Sequence, residues 1–322
     1  MGSTNNEKDW IINKEHKMSN FRYILLVLVM MGLVSGCASV KPDVGQVVFA
    51  SPEEAVAALR DAAKNNDAKR LLEIFGPNGR EIVYSGDEQY DVESRAKFAK
   101  RLEEKADFVK EGDLVYVEFG KDNLPFAVPI AIYDGKAFFH TEVGKDELIN
   151  RRIGRNELNA LRICRTIVEA EEQYAKSKLA AGAAKEYASK FVGDKNAKDG
   201  LYWDLDNKDA SEKNPLGALV VLASQDASPE NRKPYYGYFY KILTAQGASA
   251  PGGKNSYLVD GKLKKGFALL AYPADYGSLG IMTFIVSRHG VVFEKDLGED
   301  TVNIGAGITE YNPDDSWEPV ED

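Results

Sequence analysis

Twice along this chain a helical period of apolar residues gives way to a strand period, and that order restricts the fold more than any other feature. Ser51 suits an N-cap, Pro52 the first helical position, and Glu54 stands where it closes a capping box. Ala55, Val56, Ala58, Leu59 and Ala62 then share one apolar face. Asn65-Asn66-Asp67 stops that helix. Asp67 caps a second, which holds Leu71, Leu72, Ile74 and Phe75 and ends at Gly76-Pro77-Asn78-Gly79. A third helix is predicted over 93–106. Strands are predicted over 114–119, 126–133 and 136–141, the last two joined by Asp134-Gly135, a strong hairpin signal. Pro125 and Pro129 assign the first strand of that pair to an edge or a bulge.

The second round begins after Arg151-Arg152-Ile153-Gly154-Arg155, which reads as a junction. The longest helix is predicted over 156–181, apolar at 160/161, 164, 167/168 and 174/175 and interrupted by Glu171. Residues 193–214 are loop-like and 215–224 suggest a short apolar helix. Strands are predicted over 236–244, 256–259, 267–272, 281–287 and 291–295, with turns at Asp260-Gly261 and His289-Gly290. Helices before an antiparallel sheet, twice over, make the chain α+β with two domains, 50–150 and 151–322. In element order the first resembles the cone-shaped nuclear-transport-factor-two-like fold, and the second the globular part of type IV pilins. Fold likeness of that kind does not fix function.

The amino end carries a separate signal. Lys17 and Arg22 precede an apolar run over 24–34, too short to cross a bilayer core of about 30 Å. The run ends in Leu33-Val34-Ser35-Gly36-Cys37, which resembles the lipobox of bacterial lipoproteins. The resemblance implies that residues 1–36 are a leader, that Cys37 carries lipid and opens the mature chain, and that 37–49 form a tether. Ala38 after the cysteine, rather than Asp, implies sorting to the outer membrane, on its periplasmic side. A signal anchor that is never cut, or an ordinary cleavage site beside a chance cysteine, is the alternative. Each buried methylene of such a lipid contributes about 0.8 kcal/mol to membrane attachment.

Composition agrees with an envelope location. The chain has 41 basic and 50 acidic residues, a formal charge of −9, which disfavours phosphate backbones and therefore nucleic acid as a partner. The only cysteines are Cys37 and Cys164; with Cys37 lipidated, Cys164 is expected to be a buried thiol. The three histidines and the absence of Cys-x-x-Cys or His-Glu-x-x-His spacing give no expected metal site and no expected cofactor.

Four stretches carry a closer likeness. ELINRRIGRNELNALRICRTIVEAEEQYA (147–175), YGYFYKILTAQGASAPGGKNSYLVDGKLKKGFALLAYPADYGSLGIMTFIVSRHGVVFEKDLGEDT (236–301), FASPEEAVAALRDAAKNNDAKRLLEIFGPNGREI (49–82) and GLYW (200–203) together resemble an uncharacterised bacterial lipoprotein family, domain-of-unknown-function family 2950. What the resemblance implies is a secreted or lipid-anchored envelope protein with no established reaction. The chain departs from the family at Leu124-Pro125-Phe126, where Trp-Pro-Phe is frequent, and at His140, where Asp is common.

Each candidate for chemistry has a plain alternative. Ser94-Arg95-Ala96-Lys97 has the Ser-x-x-Lys spacing of penicillin-recognising enzymes but lacks their companion motifs, and reads as a solvated helix face. Asp204-x-Asp206-Asn207-x-Asp209 concentrates oxygen ligands, yet Asp209 and Pro215 stand where an EF-hand loop needs Gly and Glu. The glycine-rich stretch 246–254 puts Asn255 after Lys254, where a P-loop needs Ser or Thr; Gly252 and Gly253 suit a turn or a ligand-contacting loop. Tyr236, Tyr238 and Tyr240 alternate along one strand. Exposed, they could stack on sugar rings or a partner protein; buried, they are cross-strand packing, the commoner arrangement. Trp203 and Trp317 raise the same question. Arg152 and Arg155, with Arg151, Arg162 and Arg165, could hold a carboxylate or phosphate, or pair with Glu147, Glu157 and Glu169. His289 reads as a turn residue. No catalytic residue is assigned. The expectation is a non-enzymatic, lipid-anchored envelope protein that binds a protein, glycan or small ligand. The alternatives are a hydrolase of wall or surface polymers using paired carboxylates and a structural subunit with a pilin-like half.

Overall fold

The computed structural model describes residues 40–194, 199–202 and 232–321. Helix α1 (Pro52–Lys64) starts where the sequence places it: Ser51 Oγ accepts from Glu54 N at 3.2 Å, while the Glu54 carboxylate reaches back to Ala50 N. Asp67 caps α2 (Ala68–Phe75) by accepting from Arg70 N, and Gly76 ends it with φ +74°. A 3-10 turn (Pro77–Gly79) leads into the single turn α3 (Arg80–Val83). Helix α4 (Glu88–Glu104) begins a turn earlier than predicted because Asp87 caps it, accepting from Tyr90 N at 3.0 Å.

The first sheet is antiparallel in the order β1 (Ala106–Glu111), β2 (Leu114–Phe119), β4 (Ile130–Tyr133), β5 (Lys136–Phe139), with β3 (Leu124–Pro125) also paired to β2. The sequence pattern assigned no strand over 106–111. This edge strand is mostly exposed and charged, so it lacks the alternation that marks a half-buried one. The predicted strand over 126–133 is likewise interrupted: Phe126 and Val128 turn inward and pairing resumes at Ile130, next to Pro129. Asp134 and Gly135 take positive φ, +49° and +70°, as the two-residue hairpin between β4 and β5 requires. Between this sheet and α1–α4 lies a core rich in phenylalanine. Phe98 meets Phe119 edge-on at 5.1 Å and Phe126 meets Phe139 at 6.1 Å, pairs worth about 0.5–1.5 kcal/mol each beyond area burial.

Helix α5 (Thr141–Ala180) has 40 residues and is therefore about 60 Å long. It runs unbroken through 151–155, where a junction was predicted, so the 150/151 division falls inside a helix. Its first turns are nailed to the first core. Thr141 Oγ1 donates to Phe75 O at 2.7 Å, and Gly144 presses so closely on the 127–128 backbone that a Cβ would lie 2.3 Å from Ala127 O. Its later turns bury Ala160, Cys164, Ile167 and Tyr174 of the predicted stripe, together with Ala170, against a second sheet.

That sheet is an antiparallel meander in the order β14 (Glu318–Pro319), β13 (Val292–Asp296), β12 (Met282–Ser287), β11 (Ala268–Pro273), β6 (Tyr238–Leu243). Two small hairpins, β7 (Ala245–Gln246) with β8 (Asn255–Ser256) and β9 (Leu258–Val259) with β10 (Lys262–Leu263), intervene between β6 and β11. Every residue of β11 is buried because both faces of the sheet are covered. Leu269 and Ala271 face α5, whereas Ala268, Leu270 and Tyr272 face Tyr257, Phe267 and Tyr311. The short helix α6 (Thr301–Gly307), unsignalled in sequence, lies on β11 with Gly305 against the Tyr272 ring. The chain is thus α+β, helices then antiparallel sheet in its first part and long helix on antiparallel sheet in its second. The predicted helix over 215–224 lies outside the described residues.

Candidate functional site

Helical spacing aims one face of α4 inward. Tyr90, Ser94 and Phe98 follow one another at four-residue intervals, with Asp91 and Arg95 beside them. On α5, Leu148, Arg152 and Arg155 repeat the pattern. These two faces, with Leu59, Ala63, Leu71, Phe75, Ile82, Val83 and Phe126, line a cavity of about 200 Å³ that opens to solvent.

The polar groups on its wall are unequally satisfied. Arg95 is pinned: Nη1 donates to Asn66 Oδ1 at 2.6 Å, Nη2 donates to Val83 O at 2.5 Å, and Asp91 lies 3.9 Å away. Asp91 in turn accepts from Ser85 N at 3.1 Å. Arg152 is 6% exposed; Nη2 donates to Glu81 O at 2.7 Å and Ile82 O at 3.2 Å. Its Nη1 is buried with no hydrogen-bond partner, and so is the Tyr90 hydroxyl. Burial pulls the Arg152 pKa down, a trend that Tyr90, Asp91 and Asp275 oppose and Arg155 reinforces. Arg155 is exposed and stacks its guanidinium 5.4 Å from the Tyr90 ring centroid.

Tyr90 also belongs to a larger cleft of about 690 Å³ between residues 86–93 and the segment entering β6. Asp87, Glu88 and Glu93 stand on one wall; Lys233, Pro234, Tyr235 and Tyr236 form the other. The Tyr235 and Tyr236 rings are 4.6 Å apart, and burial, reinforced by Tyr236, pushes the Tyr235 hydroxyl up to about 12. Tyr236 has φ +50° and lies before the strand that holds Tyr238 and Tyr240, out of their alternation.

The expected ladder of Tyr236, Tyr238 and Tyr240 therefore does not form. Tyr238 and Tyr240 face α5 in the second core, exposed by 0% and 2%, so neither ring is open to a ligand. Tyr238 Oη donates to Met282 O at 2.9 Å. Gly252 and Gly253 hold φ of +89° and +72° in a turn closed on itself: Gln246 Nε2 donates to Pro251 O and Gly253 O, and Tyr257 Oη donates to Gln246 Oε1. Of the arginines, Arg151 pairs with Glu147 as expected, but Glu157 accepts from Ile281 N and Met282 N instead. Lys97 pairs with Glu93 in solvent, away from any serine chemistry, while Ser94 lines the inner cavity. His289 is exposed in a turn, and Trp317 packs on the second sheet with Lys295 5.9 Å from its ring centroid. Cys164 is fully buried, which pushes its thiol up to about 12. Cys37, Trp203 and the 204–209 loop lie outside the described residues. Among those described, no three His, Cys, Asp or Glu side chains are grouped to hold a metal ion, and no helix is long and apolar enough to cross a membrane.

Tyr90, Glu93 and Lys233 were not singled out in sequence, and Ser94 was noted only for its spacing to Lys97. The helix predicted over 93–106 takes in 94 and 98 but not 90, and the convergence of all three with 148, 152 and 155 is tertiary. No curated protein and no solved structure matches the chain, so the likeness to the cone and pilin folds rests on element order alone. Residues 46–320 match the family described as Protein of unknown function (DUF2950), and the chain belongs to that family.

Proposed function

We propose that this protein is a lipid-anchored bacterial envelope protein that binds a glycan without transforming it. In this reading Cys37 carries the lipid, and the folded part works on the periplasmic side of the outer membrane. The leader pattern before Cys37 supports the anchor. The observation that carries the binding role is the Tyr235–Tyr236 pair, rings 4.6 Å apart, on the wall of an open cleft opposite Glu88 and Glu93. Aromatic faces suit the C–H faces of sugar rings, and carboxylates accept from sugar hydroxyls. The acidic chain makes nucleic acid an unsuitable partner.

Two measurements test this. Mass spectrometry of protein from native cells is expected to find acyl chains on Cys37; an unmodified sulfur, or a retained leader, defeats the anchor. The lipid-free chain from Ala38 onward is then incubated with fragments of wall and surface polymers. Retention on a glycan, weakened about tenfold or more by Tyr236→Ala, supports the reading. Release of soluble products would replace binding with hydrolysis, with Glu88 and Glu93 as the carboxylates to test first.

A further inference from the structure

The inner cavity asks for a ligand of different character from the outer cleft. Two residues of its wall each carry a buried group with no partner, Arg152 Nη1 and Tyr90 Oη, and both groups offer protons. A buried donor left unpaired is costly, the more so when it is charged, so each favours an acceptor placed against it. Arg152 cannot grip an anion with both Nη atoms, because Nη2 is committed to the Glu81 and Ile82 carbonyls. One oxygen can take Nη1 and a second the tyrosine hydroxyl.

Charge narrows the class further. On the wall itself the guanidiniums of Arg95, Arg152 and Arg155 face the single carboxylate of Asp91, with Asp275 acting on Arg152 from outside it, so the site is net positive in an otherwise acidic chain. A positive site suits an anion, and two free donors match the two oxygens of a carboxylate, whereas a phosphate brings more acceptors than they serve. Away from these groups the wall is hydrocarbon: Leu59, Leu71, Phe98 and Leu148. At about 200 Å³ the cavity holds a compact molecule, not a polymer.

We propose that this cavity binds a small monocarboxylate with a hydrocarbon body, its two oxygens accepting from Arg152 Nη1 and Tyr90 Oη. The site shares Tyr90 with the outer cleft but does not rest on the glycan reading, and either can fail alone.

Titration calorimetry on the chain from Ala38 onward, which contains everything from Pro42 on that folds as one compact unit, is the test. The probes are octanoate and phenylacetate, each beside its neutral counterpart, 1-octanol and 2-phenylethanol. The carboxylates are expected to bind about tenfold or more tightly than the alcohols. Tyr90→Phe, which keeps the ring beneath Arg155 and removes only the hydroxyl, is expected to weaken carboxylate binding several-fold. Ser94→Leu, which fills the cavity without touching its donors, is expected to abolish it. Thermal melts identify the folded variants, and Tyr90→Phe keeps the test open if the bulkier change unfolds the chain. The proposal is overturned if neither carboxylate binds at millimolar concentration, if the alcohols bind as well, or if the folded variants bind like the unaltered chain.

Discussion

Arg152 and Asn156 stand one turn apart on α5 and grip different parts of the chain. Arg152 Nη2 donates to Glu81 O at 2.7 Å, in the segment between α2 and α4, and Asn156 Nδ2 donates to Leu279 O at 2.8 Å, just before β12. Glu157, the next residue, accepts from Ile281 N and Met282 N, both at 3.0 Å. The helix is therefore clamped on both sides within two turns.

Asn156 is fully buried, so Asn156→Ala strips the Leu279 carbonyl of its donor in a place where water does not replace it. The expected loss is about 1–2 kcal/mol, read as a lower denaturant midpoint with an unchanged slope. An unchanged midpoint would mean that the clamp contributes nothing.

Glu171 sits at 0% exposure with one oxygen accepting from Ala188 N at 2.8 Å and the other unpartnered. Burial holds its pKa well above the ordinary carboxylate value, against the opposing pull of that hydrogen bond. Below the ordinary range, near about 4.3, both folded and unfolded chains hold the proton and the group costs nothing. As pH rises through that range only the unfolded chain ionises, and stability falls until the folded carboxyl ionises too. Glu171→Gln mimics the protonated group, so melting curves are expected to show the variant a few degrees more stable at neutral pH, with the gap closing toward pH 4. A gap that widens on acidification would refute the assignment.

A Cβ on Gly305 would lie 2.6 Å from the base of the Tyr272 ring, which is itself 2% exposed and has no room to retreat. Gly305→Ala is expected to cost about 1–3 kcal/mol by forcing α6 off β11. Tyr272→Ala in the same background should recover part of that loss in a double-mutant cycle; strict additivity of the two changes would remove the clash as the cause.

His140 occupies the N-cap of α5 without a capping hydrogen bond, and burial keeps its pKa below the ordinary imidazole value, against the pull of Asp43 and Glu142. His140→Asn supplies the missing acceptor without adding charge beside those carboxylates. An increase of about 0.5–1 kcal/mol is expected in chemical denaturation, and no gain would mean the first turn of α5 is already satisfied.

Local chemistry made much of this fold legible. Ser51, Asp67 and Asp134-Gly135 each work through neighbours a few residues away, and each does in the structure what its spacing implies. The strand β1 was missed because its edge position leaves it charged and open, and the first third of α5 because its polar surface hides the helical period. The stretch 151–155 was read as a junction, yet its Gly154 sits inside the helix with nothing near it, at a cost that the clamps on either side outweigh. The tyrosine run was half legible. Alternation correctly joins Tyr238 and Tyr240, but a left-handed backbone at Tyr236 breaks the series, and only tertiary context reveals that. Arg152 and Arg155 were recognisable as unusual in sequence, whereas their meeting with Tyr90 was not.

The unbroken course of α5 restricts how relatives of this chain can vary in length. Adding one residue between Arg152 and Ala160 would turn everything beyond it by about 100° and advance it by about 1.5 Å. Ala160 and Cys164 would swing off the second sheet while Leu148 stayed in the first core. Loops elsewhere can grow or shrink one residue at a time; this stretch tolerates only changes that restore the angular phase, so its spacing acts as a ruler between the two sheets.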